Sequence, residues 1–245
     1  MPRIFITPGS IKDDAVSLPE AESKRLLRVL RMRPGDTVTL FDGEREYSAK
    51  ITSLTPKSAE AKITGKIERN VESPLHVMLG QGMPKAEKLE LVVQKAAEMG
   101  AHKVVPVLME RSVKRPDVSG IEKKLARLRK IATEAARQSG RLCVPEVPCF
   151  MDLPMFLENA GAFDLKIILY EGEKTRGLRE ALHGARDVGS VALLIGPEGG
   201  LTTDEVLEAE AAGFIPCGLG PRILRTETAG LAALSILQYE LGDVG

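Results

Sequence analysis

The chain is expected to be an α/β protein in two parts: a C-terminal α/β domain built on a parallel sheet, residues 74–245, preceded by a small, mostly β domain, residues 1–70. Three observations carry that expectation. Beyond residue 74, short apolar runs alternate with stretches of helical periodicity, the order produced when crossover helices return the chain to successive parallel strands. Before residue 67 the runs are short and β-like, and two of them flank Asp42-Gly43, a strong hairpin signal. Between the two patterns, Glu68, Arg69, Asn70, Glu72, Ser73 and Pro74 form a polar stretch, as a linker would.

In the first part, residues 3–7 read as a strand, 19–30 as a helix, 36–41 and 46–54 as the hairpin strands, and 57–67 as a further strand. In the second, strands are expected at 75–79, 103–107, 165–169, 191–195 and 215–219. Helices are expected at 87–99, 121–139, 175–181, 204–212 and 227–241. No internal repeat or low-complexity tract interrupts the alternation.

Two turns near the C-terminus say most about function: Leu194-Ile195-Gly196-Pro197-Glu198-Gly199-Gly200 and Leu219-Gly220-Pro221-Arg222-Ile223-Leu224-Arg225-Thr226-Glu227-Thr228-Ala229. Each follows an apolar strand and opens an amphipathic helix. Both should therefore meet at the C-terminal rim of the parallel sheet, where open α/β folds bind small molecules. Thr202 and Glu205 have capping-box spacing, and Gly213 marks the stop of that helix. Thr226 or Thr228 can cap the last helix, whose apolar face carries Leu231, Leu234 and Leu237. Gly196, Gly199 and Gly200 leave room for a ligand against bare backbone, although a tight turn with no ligand would use the same residues. Neither turn carries the Lys-Ser/Thr of a P-loop or the third glycine of a dinucleotide fingerprint, so a nucleoside triphosphate or NAD is not the expected ligand.

Composition fits an intracellular enzyme of ordinary size. No apolar stretch approaches the roughly 20 residues of a spanning helix, and the N-terminus has no apolar core of a secretory signal, so a cytoplasmic location without membrane attachment is expected. Cys143, Cys149 and Cys217 form no Cys-x-x-Cys pair, and His76, His102 and His183 are far apart in sequence; no metal is expected. Cys217 reads as a small buried hydrophobe. Net charge is zero but unevenly spread: residues 109–145 hold ten Lys or Arg against four acids, and residues 186–245 hold three against nine. A basic stretch of that kind is either a solvated helix face or a footprint for a polyanion.

With these residues in view, the chain resembles the RsmE family of SPOUT RNA methyltransferases. The resemblance rests on the two turns, on Lys85-Ala86-Glu87-Lys88-Leu89-Glu90 running on to Gly100, on Glu110-Arg111-Ser112, and on Glu134-Ala135-Ala136-Arg137-Gln138-Ser139-Gly140-Arg141 with Pro145. It spans nearly the whole chain. It implies a C-terminal trefoil knot, which general rules of chain topology would not predict, and S-adenosylmethionine held by Leu169, Tyr170, Glu171, Ile195, Gly196, Pro197, Gly199, Gly200, Leu219, Gly220, Ile223, Leu224, Thr226 and Ala229. It also implies a homodimer packed through knot helices, and methylation of N3 of a uridine in 16S ribosomal RNA, free or in the small ribosomal subunit.

The N-terminal part would then resemble a PUA-like RNA-binding barrel, with Val29-Leu30-Arg31 and Pro34-Gly35-Asp36 as its recognisable stretch. Arg3, Arg25, Arg28, Arg31 and Arg33 would contact phosphates, and Arg111, Arg137 and Arg141 would contact phosphate or substrate. Arg25 stands where the family more often has histidine. Methyl transfer to N3 requires in-line alignment and removal of a proton; Glu198 and Glu227 are candidate bases, and Arg225 could stabilise charge on the uracil oxygens. Both carboxylates could instead serve backbone N–H groups, and Arg225 could pair with Glu227 or with a carboxylate of a partner subunit. Two other functions compete: an RNA-binding protein without catalysis, and a SPOUT methyltransferase acting on another RNA.

Overall fold

A computed structural model describes residues 1–112, 118–185 and 187–245. Lys114, Arg115 and Asp117 of the basic stretch and Arg186 of the acidic one lie outside the described residues. The chain divides into two compact units, Met1–Glu72 with Ala136–Val144, and Ser73–Ala135 with Pro145–Gly245.

The first unit is an open five-stranded sheet in the order β1-β3-β4-β5-β2, formed by β1 (Arg3–Phe5), β2 (Ala15–Leu18), β3 (Thr37–Phe41), β4 (Glu46–Leu54) and β5 (Ala59–Ile67). Strand β1 runs parallel to β3, and the other pairs are antiparallel. One face is buried on Ile4, Val16, Leu18, Leu26, Val38, Leu40, Ala49 and Ile51. The hairpin forms where Asp42-Gly43 marks it: Asp42 Oδ1 accepts from the N–H groups of Glu44 and Arg45, and Gly43 takes φ +101°. The strand expected from residue 57 begins at Ala59, because Thr55 and Ser58 close a turn on each other first. Strand β2 was not expected; its alternation runs over only four residues, too short to stand out. The helix expected at 19–30 exists as α1 (Glu20–Lys24) but widens into π-helical turns over Arg25–Val29 and ends at Arg31, which takes φ +53°.

The second segment of this unit is tied by arginines. Arg3 donates to Glu46 Oε1 at 2.6 Å and to the carbonyls of Arg137 and Arg141 at 3.1 and 2.9 Å, and Arg69 donates to the Gly140 carbonyl at 2.6 Å. These cations satisfy carbonyls where a helix ends, as its dipole favours. Arg141, 4% exposed, lies on Glu72 at 2.7 Å, whose other oxygen accepts from the N–H groups of Leu142 and Cys143.

The second unit is a six-stranded parallel sheet in the order β11-β9-β10-β6-β7-β8. Its elements are β6 (His76–Gly82), α2 (Ala86–Glu98), β7 (Lys103–Leu108), α3 (Val118–Ser139), β8 (Met151–Asp152), α4 (Leu153–Asn159), β9 (Leu165–Leu169), α5 (Leu178–Leu182), β10 (Ser190–Ile195), α6 (Thr203–Ala211), β11 (Ile215–Cys217) and α7 (Thr226–Leu241). Its central strands are buried on both faces and therefore read as unbroken apolar runs. Several expectations are corrected. Strand β6 runs on to Gly82, because Gly80 and Gln81 still pair with Leu194 and Ile195, and Gly82 with Val107. Strand β11 stops at Cys217, where Gly218 leaves the sheet edge to bond with Arg176. Helix α5 starts at Leu178, since the Glu173 carboxylate holds residues 175 and 176 in a turn before it. Elements β8 and α4 were missed, although Asp152-Leu153-Pro154 is a readable helix start: the Asp152 carboxylate accepts from Met155 N at 3.0 Å. On α7, Leu234 and Leu237 are core, while Ile236 and Tyr239 point outward and are exposed.

Candidate active site

The order of the sheet reverses between β6 and β10, and the loops after β9, β10 and β11 gather beside that reversal at the C-terminal ends of the strands. The loop after β10 turns at Gly200, whose φ is +74° and whose missing Cβ would collide with the Glu171 carboxylate. Any side chain there is strained by that φ, while the Glu171 carboxylate can swing aside. The loop ends in the capping box expected from sequence: Glu205 N donates to Thr202 Oγ1, and Glu205 Oε2 accepts from Thr202 N at 2.9 Å. The other Glu205 oxygen accepts from Glu110 N at 2.8 Å, and Arg111 donates to the Gly199 carbonyl at 3.2 Å, so Glu110-Arg111 clamps this loop.

Thr226 does not cap α7 as expected. Arg225 occupies the cap position without a side-chain bond, and the Thr226 hydroxyl turns inward. It donates to the Gly196 carbonyl at 2.5 Å and accepts from Gln81 Nε2 at 2.7 Å; Gln81 is fully buried and also donates to the Gly82 carbonyl at 3.1 Å. A buried polar chain thus joins the end of β6, the β10 loop and the start of α7. In the loop after β9, Glu173 accepts from the Thr175 hydroxyl and from the N–H groups of Thr175 and Arg176, and these bonds pull its carboxyl down to about 2.

Together the three loops enclose a cavity of about 540 Å³, within the range of small-molecule sites. Its wall includes Leu169, Tyr170, Glu171, Ile195, Gly196, Pro197, Gly200, Leu219, Gly220, Ile223, Leu224, Thr226 and Ala229 from the expected set, with Glu198 and Arg225. Gly199 faces Arg111 instead, where a Cβ would stand 2.9 Å from that residue's own. Lys85, Lys88, Glu173, Lys174 and Arg222 also line it and were not foreseen. So does Cys217, whose thiol burial pushes up to about 11; it stays protonated and packs as an apolar group. Glu227 is buried at the first turn of α7 and is not on the wall. Its partner is Lys88 at 3.2 Å, not Arg225, and Lys88 also meets Glu198 at 2.6 Å. The Glu198 hydrogen bond, opposed by desolvation and helped by Glu227, holds the Lys88 ammonium above its ordinary range.

The arginines expected to meet RNA fall into three groups. Arg28, Arg31 and Arg33 are exposed. Arg25 is half-buried on Glu22 at 2.7 Å, Arg137 is half-buried near the end of α3, and Arg111 serves the β10 loop. Arg3 and Arg141 are engaged within the fold: the Arg3 guanidinium donates to Glu46 and to the carbonyls of Arg137 and Arg141, and the Arg141 guanidinium donates to Glu72. Among the described residues no group of His, Cys, Asp and Glu could hold a metal ion, and no helix is long and apolar enough to cross a membrane.

Comparison with known proteins agrees with this architecture. Residues 71–238 match the family model of an RNA methyltransferase domain, and residues 18–64 that of an RNA methyltransferase PUA domain. The ribosomal RNA small subunit methyltransferase E of Bacillus subtilis is 36% identical, with 98% of this chain and 97% of that protein covered. Two solved structures are similar over 99% of both chains at 35% identity: a methyltransferase of Legionella pneumophila in complex with S-adenosylmethionine, with a TM-score of 0.91, and a ribosomal RNA small subunit methyltransferase E of Neisseria gonorrhoeae bound to S-adenosylmethionine, with a TM-score of 0.88. The fold, the three-loop cavity and these likenesses lead to one conclusion: the chain belongs to the RsmE family of SPOUT RNA methyltransferases.

Proposed function

We propose that the chain transfers the methyl group of S-adenosylmethionine to N3 of a uridine in 16S ribosomal RNA of the small subunit. The observation that carries this reading is the cavity, whose wall is formed by loops from three adjacent strand ends and by almost every residue expected to hold the methyl donor. The donor's chemistry suits that wall. Gly196, Gly200 and Gly220 put backbone without side chains on the wall, where an adenosyl moiety can lie close, and Leu169, Ile195, Leu219 and Leu224 offer apolar surface to its ring.

S-adenosylmethionine, when bound, supplies an electrophilic methyl group. The chain's own residues have three tasks. The loops fix the donor against the target nitrogen, which converts the reaction into an oriented, effectively intramolecular one. Glu198, on the wall, takes the proton that N3 must lose; Glu227, behind the wall, is the less suitable base. Arg225, exposed at the mouth of α7, stabilises charge developing on the uracil oxygens. Arg28, Arg31 and Arg33 hold the RNA backbone. The same reading includes a threaded C-terminal tail and a homodimer in which Ile236 and Tyr239, apolar and exposed on α7, are covered by a second copy.

The test is mass mapping of 16S RNA from cells with and without this protein, paired with methyl transfer to the purified small subunit in vitro. One N3-methyluridine is expected to disappear in the deletion and to return in vitro. A methyl group found on another atom or another RNA would remove the target, and failure of the protein to bind S-adenosylmethionine would leave the noncatalytic reading.

A further inference from the structure

Lys88 lies in the first turn of α2, a helix that buries Leu89, Val92, Val93 and Ala96 on its core face. Its ammonium does not go to solvent alone. Nζ stands 2.6 Å from Glu198 Oε1 and 3.2 Å from Glu227 Oε2, with side-chain exposures of 30%, 21% and 12%. Glu198 belongs to the β10 loop and Glu227 to the first turn of α7. One cation therefore joins two segments that bound the cavity, from a position on its wall. Without it, two carboxylates would face each other in a partly desolvated place, an arrangement in which one of them takes up a proton. The other charged groups on that wall are Lys85, Glu171, Glu173, Lys174, Arg222 and Arg225.

We propose that Lys88 is a positioning residue for the proton-accepting step: it fixes Glu198 through Oε1 and leaves Oε2 as acceptor of the target proton. The inference rests on the methyltransferase reading above. As the bond from N3 to the methyl carbon forms, the N3–H bond breaks. The proton goes to Glu198 Oε2, and the electron pair of the broken carbon–sulfur bond stays on the departing sulfur. Lys88 cannot be the base, since an ammonium held between two carboxylates has no lone pair to offer.

Single-turnover methyl transfer at saturating donor and RNA would be measured for the wild type, K88M, K88R, E198Q and E227Q. Donor affinity by calorimetry and the Lys88 Nζ titration by NMR in the free protein would accompany it. K88M and E198Q should each slow transfer roughly 100-fold while donor affinity stays within about threefold, the size expected for losing a general base. K88R should recover much of the rate, E227Q should lose less than E198Q, and the Lys88 signal should titrate lower in E198Q than in the wild type. Transfer by K88M or E198Q within about threefold of the wild type would overturn the proposal. Should K88M lose its cooperative melting transition, the Lys88 Nζ titration decides: a signal no lower in E198Q than in the wild type would overturn the proposal. A wild type that binds the donor and transfers, with wild-type-like variants, removes only the role of Lys88; a wild type that binds no donor removes both readings.

Discussion

The cavity loops and the arginine-bearing segments were both nominated from sequence, and the structure treats them differently. Thirteen residues expected to hold a methyl donor line one cavity, with Gly199 just behind it. Of the arginines expected to meet RNA, Arg28, Arg31, Arg33 and Arg111 are exposed, whereas Arg3 and Arg141 close internal ion pairs. The difference lies in what specifies each site. Strand ends and glycine turns are properties of the backbone, which local sequence dictates. A guanidinium on a long side chain goes to whichever acceptor the tertiary structure brings near, and Glu46 and Glu72 are distant in sequence from the arginines they bind.

Arg141→Ala sharpens this contrast most. Removing the guanidinium leaves the half-buried Glu72 carboxylate with only the Leu142 and Cys143 N–H groups, so thermal or urea unfolding should show a loss of about 1–3 kcal/mol. A change below about 1 kcal/mol, the worth of a surface pair, would return Arg141 to the surface set. The pair also sets a pH dependence. Burial pushes the Glu72 carboxyl up, but the Arg141 hydrogen bond and charge, with the Cys143 and Leu142 N–H groups, outweigh it and hold it below the ordinary carboxylate range. Its folded value lies below its unfolded one, so the stabilisation is complete above the unfolded value and is lost as pH falls through the folded one. In Arg141→Ala the main cause that lowers the Glu72 carboxyl is gone, so the part of the stability that acid removes should shrink.

Gly200→Val comes next in size. A left-handed φ for a β-branched residue costs about 1–3 kcal/mol, and the new Cβ meets the Glu171 carboxylate. Calorimetry should show donor affinity falling by roughly 10- to 100-fold, and unchanged affinity would separate the glycine turn from the ligand. The smallest effect is expected from replacing Arg28, Arg31 and Arg33 together by alanine. RNA affinity should fall, and the slope of log affinity against log salt should flatten by about 2, each phosphate contact contributing roughly 0.7–0.9. An unaltered slope would place the RNA contacts elsewhere.

Most of the parallel sheet was legible because its strands are short apolar runs between glycines and helical patterns. Strand β2 alternates over only four residues, with Val16 and Leu18 inward, too short a run to stand out, and the π-helical widening at Arg25–Val29 left no periodic trace. Thr226 was read as a cap from residue type, yet its hydroxyl completes a buried chain to Gln81, a residue 145 positions earlier. Lys88 lies in a segment that carries the family resemblance, and only the folded chain shows it between Glu198 and Glu227. Local sequence marks where a loop stands; it does not mark which distant side chain enters it.

The central claim is that the loops after β9, β10 and β11 form a pocket for S-adenosylmethionine. Calorimetric titration of the purified protein with that compound, alongside NAD and ATP as controls, tests it directly. Saturable binding of one donor molecule per chain, with neither control bound, is the result expected. No heat with S-adenosylmethionine, together with binding of NAD or ATP, would contradict it.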